Sequence, residues 1–364
     1  GQFRLLLPFA QRCISLKKIF PFFIAVILVF STFACLTSCK AGQKRFEAEF
    51  LLLFNTVTKI VGYSDSEESF TEDVEFIYDN MKLYHELFDI YNDYEFNNIK
   101  TINDKAGVEP VKVDKKIIDL LLFAREVYEV TNGKINIAMG PVLRIWHDYR
   151  EAGVNEPENA SLPPMEELLE ASKHTDIDKV IIDEKESTVY LSDPGMRLDV
   201  GAVAKGYAVE KVARLAEENG ITNMIISAGG NVRAIGDRGN DRGNWVVGVQ
   251  NPDLESSKKH LVLLSIADMS LITSGSYERY YIVNGERYGH IINPDTLMPP
   301  TYYESVTVLV NDSGLGDALS TAIFCMPYEE SFAFIESKEG VEALWVFSDG
   351  TIEYSSGIKA YIQD

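Results

Sequence analysis

The chain has 364 residues, 46% of them apolar, and a formal net charge of −21. That apolar content is enough for a sizeable core, in one large domain or two smaller ones. So acidic a chain excludes the clustered Lys and Arg that non-specific nucleic-acid binding requires, and no nucleic-acid partner is expected; a phosphate-bearing ligand stays open, because a few local cations, backbone N–H groups or a metal can hold one.

Residues 1–38 differ from the rest: they hold Arg4, Arg12, Lys17 and Lys18 and no acid. The stretch "SLKKIFPFFIAVILVFSTFACLTSCK" has a basic pair, an apolar run from Ile19 to Leu36, then small residues, which is the layout of a secretory signal. "LTSC", ending at Cys39, resembles the lipobox of bacterial lipoproteins, in which the cysteine is lipidated and becomes the first residue. The other reading is an uncleaved anchor near the lower length limit for spanning a bilayer. Both place the remainder outside the cytoplasm and tied to a membrane. Cleavage before Cys39 leaves Cys325 as the one unmodified thiol of the four cysteines, so no intrachain disulfide forms. Cys325 lies in the apolar run "STAIFCMP" and reads as a small buried hydrophobe.

Residues 40–46 read as a polar tether, and 47–364 as the working domain. "EAEFLLLFNTVTKIVGY" reads as a strand. "SEESFTEDVEFIYDNMKLYHELFDIY" has helical spacing with Ser and acids at its start. "NDYEFNNIKTINDKAG" reads as a polar loop, and "VDKKIIDLLLFAREVYEVTNG" as a helix stopped by Asn132 and Gly133. "AGVNEPENASLPPMEE" is loop-like, with a short helix in "MEELLEASKH". Strands are expected in "KVIID", "TVYLSD" and "MRLDV", then a helix from Ala202 to Asn219. Further strands follow in "NMIISAGGNVRAIG", "NWVVGVQNP", "HLVLLSIADMSLITSG" and "YERYYIVNGERYGHIINP", the last turning at Asn284-Gly285. The chain closes with the strand "ESVTVLVND", two helices from about Gly314 and near "YEESFAFIES", and the strands "EALWVFSD" and "TIEYSS". Helices and strands mix without strict alternation, so the fold class is α+β.

Four stretches could carry chemistry. In "LDVGAVAKGYAVEKV", Lys205 precedes Gly206 and Tyr207 follows, so it is not a Walker loop, which places Lys after the last Gly and before Ser or Thr. Either Asp199 caps the helix and Lys205 is solvated, or the free N–H groups and dipole of the helix start hold an anion beside Lys205. In "GLGDALSTAIF", Asp317 and Thr321 share a helix face. A carboxylate beside a hydroxyl suits a hard cation such as Mg²⁺, or Thr321 bonds a carbonyl one turn back. "TSGSYERYYIVNGERYGHIINP" gathers Thr273, Ser274, Tyr277, Arg279, Tyr280, His290 and Asn293, and His290 has a pKa range useful for proton transfer. The other histidines have no comparable setting, and no zinc spacing occurs. In "NGKINIAMGPVLRIW", Gly140-Pro141 suits either a flat ligand or a tight packing corner.

The order and spacing of these stretches resemble the ApbE family of FAD:protein FMN transferases, over roughly residues 50–360. The resemblance rests on "LFNTVTKI", "TNGKINIAMGPVLRIW", "LDVGAVAKGYAVEKV", "ISAGGNVRAIG", "TSGSYERYYIVNGERYGHIINP" and "GDALSTAIF". It implies FAD as substrate and Mg²⁺ as metal. FMN would pass through a phosphoester to a Thr or Ser of an extracytoplasmic flavoprotein domain of a membrane redox complex, with release of AMP. It implies metal ligation by the Ala202 carbonyl, Asp317 and Thr321. Asp199 and Lys205 would lie near the FAD diphosphate and ribose, and the backbone of Ile137, Ala138 and Met139 against the flavin nucleotide. Tyr91 would lie near the isoalloxazine ring, Ile292 in the FAD pocket, and His290 would activate the acceptor hydroxyl. Two alternatives stay open: an FAD pyrophosphatase giving FMN and AMP at the same site, and a non-catalytic flavin-binding lipoprotein. The chain departs from the family at Ile135-Asn136, where Phe-Asp is usual; in the loop after Tyr91, which lacks a usual serine and is lengthened; and after "HIINP", where Asp295-Thr296-Leu297 stands in place of Thr-Gly and alters the turn behind His290.

Overall fold

The computed structural model describes residues 42–363; the signal segment and Cys39 lie outside the described residues. β1 (Lys44–Leu53) and β2 (Thr56–Ser64) form a hairpin, so the single strand expected there folds back on itself. The turn residues Phe54 and Asn55 have φ of 52° and 54°, the backbone handedness that a two-residue hairpin turn demands. β1 begins inside the stretch expected as a tether. Next come α1 (Glu67–Phe88), α2 (Ile99–Asp104), β3 (Val111–Lys112), α3 (Lys115–Val130), α4 (Gly140–Asn155), α5 (Met165–Ser172), β4 (Val180–Asp183) and β5 (Thr188–Leu191). After them stand α6 (Ala204–Glu218), β6 (Met224–Ala228), β7 (Asn231–Ile235), β8 (Trp245–Gln250), β9 (His260–Ile266), β10 (Ser270–Gly275), β11 (Tyr280–Val283) and β12 (Glu286–Gly289). The last are β13 (Ser305–Val310), α7 (Ser313–Phe324), α8 (Tyr328–Glu336), β14 (Glu342–Val346) and β15 (Ile352–Tyr354).

An eight-stranded antiparallel sheet, ordered β1-β2-β6-β7-β10-β13-β14-β15, organises the molecule. Alternate residues of its strands feed two cores, as the pleat requires. Ile60, Ile226, Ile272 and Val308 pack under the helices with Ile77, Val209 and Leu319. Ile225, Ala234, Leu271 and Leu309 meet Trp245, Val249 and Leu264 of the β8–β9 hairpin on the other face. A third cluster joins α4 and α5 to the β11–β12 hairpin through Val142, Trp146, Leu168, Tyr281, Ile292 and Leu297. The class is α+β, as read from the sequence.

Three segments differ from expectation. The Asn-rich loop contains α2, because Asn98 and Thr101 form a reciprocal capping box that satisfies the helix start. "MRLDV" is extended but joins no sheet. Leu198 exchanges bonds with the Asn103 side chain at 2.6 and 2.9 Å, and the Asp199 N–H is given to the Ile137 carbonyl at 2.8 Å. Gly140-Pro141 opens α4 with proline in the first turn, where its missing N–H costs nothing. Gly140 is a packing corner: a Cβ there would lie 2.3 Å from the Arg197 carbonyl oxygen.

Candidate active site

The start of α6, the start of β7 and the middle of α7 meet and make one wall of the candidate site. Gly206 brings the two helices into backbone contact. A Cβ on it would lie 2.4 Å from both the Asp317 Cβ and the Ser313 carbonyl oxygen. The Gly206 N–H donates to Asp317 Oδ2 at 2.7 Å. Lys205 donates to the Asn231 side-chain oxygen, and also to the Ala228 carbonyl at 3.4 Å. Lys205 is therefore half-buried and engaged rather than solvated. Asp199 does not cap α6; its Oδ1 accepts from the Gly201 N–H at 2.9 Å and closes the turn that leads into the helix. Asn231, which the sequence reading left out of the site, is fully buried between Lys205 and Asp317, its Nδ2 without a partner among the described residues.

A second buried layer braces this wall. Arg233, with no exposed surface, donates to Glu210 at 3.0 Å and to Glu217 at 3.1 Å. Glu210 also accepts the Ser313 N–H at the start of α7, at 2.9 Å. One carboxylate of α6 thus ties β7 and α7 together, four residues before Asp317 along α7.

The donors on this wall suit a hard cation. Gly206 would ordinarily donate to the Ala202 carbonyl one turn back, but its N–H goes to Asp317, and the Ala202 carbonyl accepts no hydrogen bond among the described residues. Burial pushes the Asp317 carboxyl above its ordinary value, against the pull of Lys205, the Gly206 N–H and Asn231. A cation would relieve that penalty. Thr321 bonds no carbonyl among the described residues; its hydroxyl lies 3.4 Å from that of Ser274, which is 2.8 Å from Ser320. No group of three or more His, Cys, Asp or Glu suited to a metal exists among the described residues. Carboxylate, carbonyl and hydroxyl oxygens are the ligand types that Mg²⁺ takes, with waters and phosphates completing its shell.

A second wall comes from α4, the loop after α1 and the β11–β12 hairpin. His290 follows β12, and its Nδ1 is buried without a partner among the described residues. Burial, then the charges of Arg279 and Arg150, hold its pKa down at about 4, with a smaller push from Lys205 and an opposing bond to the Arg279 backbone. Neutral imidazole is therefore the resting form. Behind it, Leu297 takes the place of the expected glycine and adopts φ 58°. That conformation costs about 1–2 kcal/mol for a residue with a Cβ. Burial of the Leu297 side chain, and a bond from Trp146 Nε1 to its carbonyl at 2.9 Å, offset the cost.

Tyr91 is 53% exposed at the cleft. Its loop is held by Asp89, which accepts from the Tyr91 N–H at 2.6 Å and from Asn92 and Tyr94. Tyr91 pairs with His147 at 5.7 Å between ring centroids, and Arg150 donates to His147 Nδ1 at 2.9 Å. The sequence reading gave His147 no setting and did not single out Arg150, because residues 147–151 were assigned to no element. Ile137, Ala138 and Met139 form a buried 3₁₀ turn. Asn136 caps it by accepting from the Ala138 N–H at 2.9 Å, and donates to the Thr175 carbonyl, also at 2.9 Å. Met139 and Ile292 belong to the same apolar cluster beneath the hairpin. Cys325 is buried, its thiol pushed up to about 12 mainly by desolvation.

A family model described as the ApbE family matches residues 54–345. The chain is 34% identical over 273 residues to an FAD:protein FMN transferase of Treponema pallidum (strain Nichols), covering 71% of this chain and 73% of that protein. It is 31% identical over 261 residues to one of Klebsiella pneumoniae (strain 342), covering 71% and 78%. Among solved structures, the ApbE protein of Thermotoga maritima superposes with a TM-score of 0.77 at 31% identity, over 88% of this chain and all of that one. The flavin transferase ApbE of Vibrio cholerae, at 23% identity, shares the fold with a TM-score of 0.72, over 88% of this chain and 99% of that one.

Proposed function

This chain belongs to the ApbE family, and we infer that it is an FAD:protein FMN transferase, which moves the FMN part of FAD onto a protein. In our reading the acceptor atom is a Thr or Ser hydroxyl, the product a phosphoester and the leaving group AMP. The observation that carries the reading is a buried set of oxygen donors near a neutral imidazole whose Nδ1 has no partner among the described residues.

Asp317, the Ala202 carbonyl and the Thr321 hydroxyl would hold Mg²⁺. When bound, it supplies neutralisation of the diphosphate charge. Lys205 adds a fixed cation whose ammonium is already oriented by Asn231. Asp199 and the 137–139 turn line the nucleotide side, Ile292 floors it, and Tyr91 offers its exposed ring to the flavin. His290 Nδ1 takes the proton of the acceptor hydroxyl. The hydroxyl oxygen forms a new bond to the FMN phosphorus, and the bond to the bridging oxygen breaks. The electron pair leaves with AMP.

The test is incubation of the protein with FAD, with and without Mg²⁺ and with and without a flavoprotein domain as acceptor, reading AMP by chromatography and covalent flavin by in-gel fluorescence. Mg²⁺-dependent AMP together with acceptor-dependent covalent FMN is the expected result. Equal AMP without acceptor identifies a pyrophosphatase, and intact FAD throughout a binding protein; either overturns the transferase. We also propose an extracytoplasmic site of action, with lipid attached at Cys39 and an acceptor in a membrane redox complex. The basic, apolar and "LTSC" succession supports this. Cys39→Ser should move the protein from membrane to soluble fraction; retention in the membrane would refute lipidation there.

A further inference from the structure

Helix α4 spans the second wall from end to end. His147, Arg150 and Gly153 recur every three residues and share one face. At one end the His147 ring meets Tyr91. At the other, Gly153 lies so near Tyr281 of β11 that a Cβ would approach its ring to 2.5 Å. Arg150 thus stands between the exposed aromatic and the hairpin that leads to His290. The charges of three cations act on that histidine, and two of them are committed to protein acceptors: Arg279 donates to the Asn55 carbonyl at 3.1 Å and Lys205 to Asn231. Arg150 spends one N–H on His147 Nδ1 and makes no ion pair with any carboxylate among the described residues. A guanidinium has five N–H donors. Glu151 and Asp199 act on it only electrostatically, without direct pairing, and in a chain with 55 acids a half-buried arginine with no directly paired carboxylate is expensive unless a ligand supplies the anion.

We propose that Arg150 is a phosphate-binding residue of the cleft, gripping the phosphate of FMN, the half of the substrate that is transferred. This rests on the flavin-transferase reading given above. The planar fork of an arginine matches two non-bridging oxygens of one phosphate. Its place beside His290 puts positive charge at the phosphorus the acceptor hydroxyl attacks, where charge spreads over the equatorial oxygens during displacement. Lys205 and the Asp317 wall then serve the diphosphate from the opposite side.

The test measures binding without turnover: FMN, riboflavin and AMP titrated into the full chain by flavin fluorescence and calorimetry. The wild type should prefer FMN to riboflavin. Arg150→Met should weaken FMN about 10- to 100-fold, the loss of a charged hydrogen-bonding pair, and leave riboflavin and AMP unchanged, while Arg150→Lys recovers part of the loss. Equal losses for FMN and riboflavin would mean that Arg150 only packs the aromatic wall, and no loss in either would mean that it faces no ligand; both overturn the proposal. If Arg150→Met lacks a cooperative thermal transition, Arg150→Gln replaces it. A wild type that binds no flavin nucleotide sinks the transferase reading itself, whereas normal wild-type binding with an unchanged variant sinks only the role of Arg150.

Discussion

The two walls of the cleft are built on opposite plans. On the α6–β7–α7 wall the protein answers most of its own polar groups: Lys205 with Asn231, Asp317 with the Gly206 N–H, Glu210 with Arg233 and the Ser313 N–H. On the α4–hairpin wall, His290 Nδ1 has no partner among the described residues, Arg150 has no carboxylate and Tyr91 is exposed. The first wall holds its charged side chains in place itself and leaves Asn231 Nδ2 and the Ala202 carbonyl without a partner among the described residues. The second depends on substrate for its partners. Preorganised charge is most useful where a reaction's charge develops, and loose ends are most useful where a second substrate must enter.

Variants can break this contrast. His290→Ala should cut covalent transfer about 100- to 10,000-fold with FAD affinity largely kept, read by acceptor labelling beside FAD titration; a comparable loss of FAD affinity would make the histidine a binding group. Since the neutral imidazole is the active form, the rate should fall only as pH drops through about 4. Arg150→Met removes a cation that holds this value down, so its acid limb should move toward neutral pH. Asp317→Ala should abolish divalent-cation binding in calorimetry and lower transfer about 100-fold or more, whereas Ala202→Ser should spare both. Equal damage from the two would show that the Ala202 carbonyl is not a ligand. Glu210→Ala leaves Arg233 buried with one carboxylate fewer and should cost about 3 kcal/mol in denaturant unfolding; an unchanged midpoint would mean that the brace is dispensable. Tyr91→Ala should weaken flavin binding about tenfold by loss of stacking, without changing cation affinity. A change in cation affinity would join walls that the contrast keeps apart.

The rigid wall was also the legible one. Asp317 and Thr321 are four apart, and the structure sets both toward β7 and β10, because a regular helix converts spacing into direction. Lys205 and Gly206 were visible as residues but not as a contact, since nothing local says that Asp317 will arrive from more than a hundred positions away. Asn231 lay inside a quoted motif and went unassigned for the same reason. The substrate-facing wall was harder. Its helix begins at Gly-Pro, and "HDYREAG" has few apolar residues to mark a period, so His147 and Arg150 were assigned to no element. "MRLDV" has the composition of a strand, but an asparagine side chain took the bonds a neighbouring strand would have made. The turn behind His290 shows the converse. The loss of glycine was legible, but not that burial of Leu297 and the Trp146 bond would support a left-handed backbone there.

The contact at Gly206 also constrains how the enzyme can change. Where two side chains meet, drift in one can be absorbed by the other, and a family explores many pairs. Here a hydrogen stands against a carbonyl and a carboxylate stem, and no partner can shrink to admit a larger neighbour. The distance between the helices is inherited as a fixed unit. A side chain larger than hydrogen at position 206 would therefore push α6 and α7 apart and move Asp317 with them.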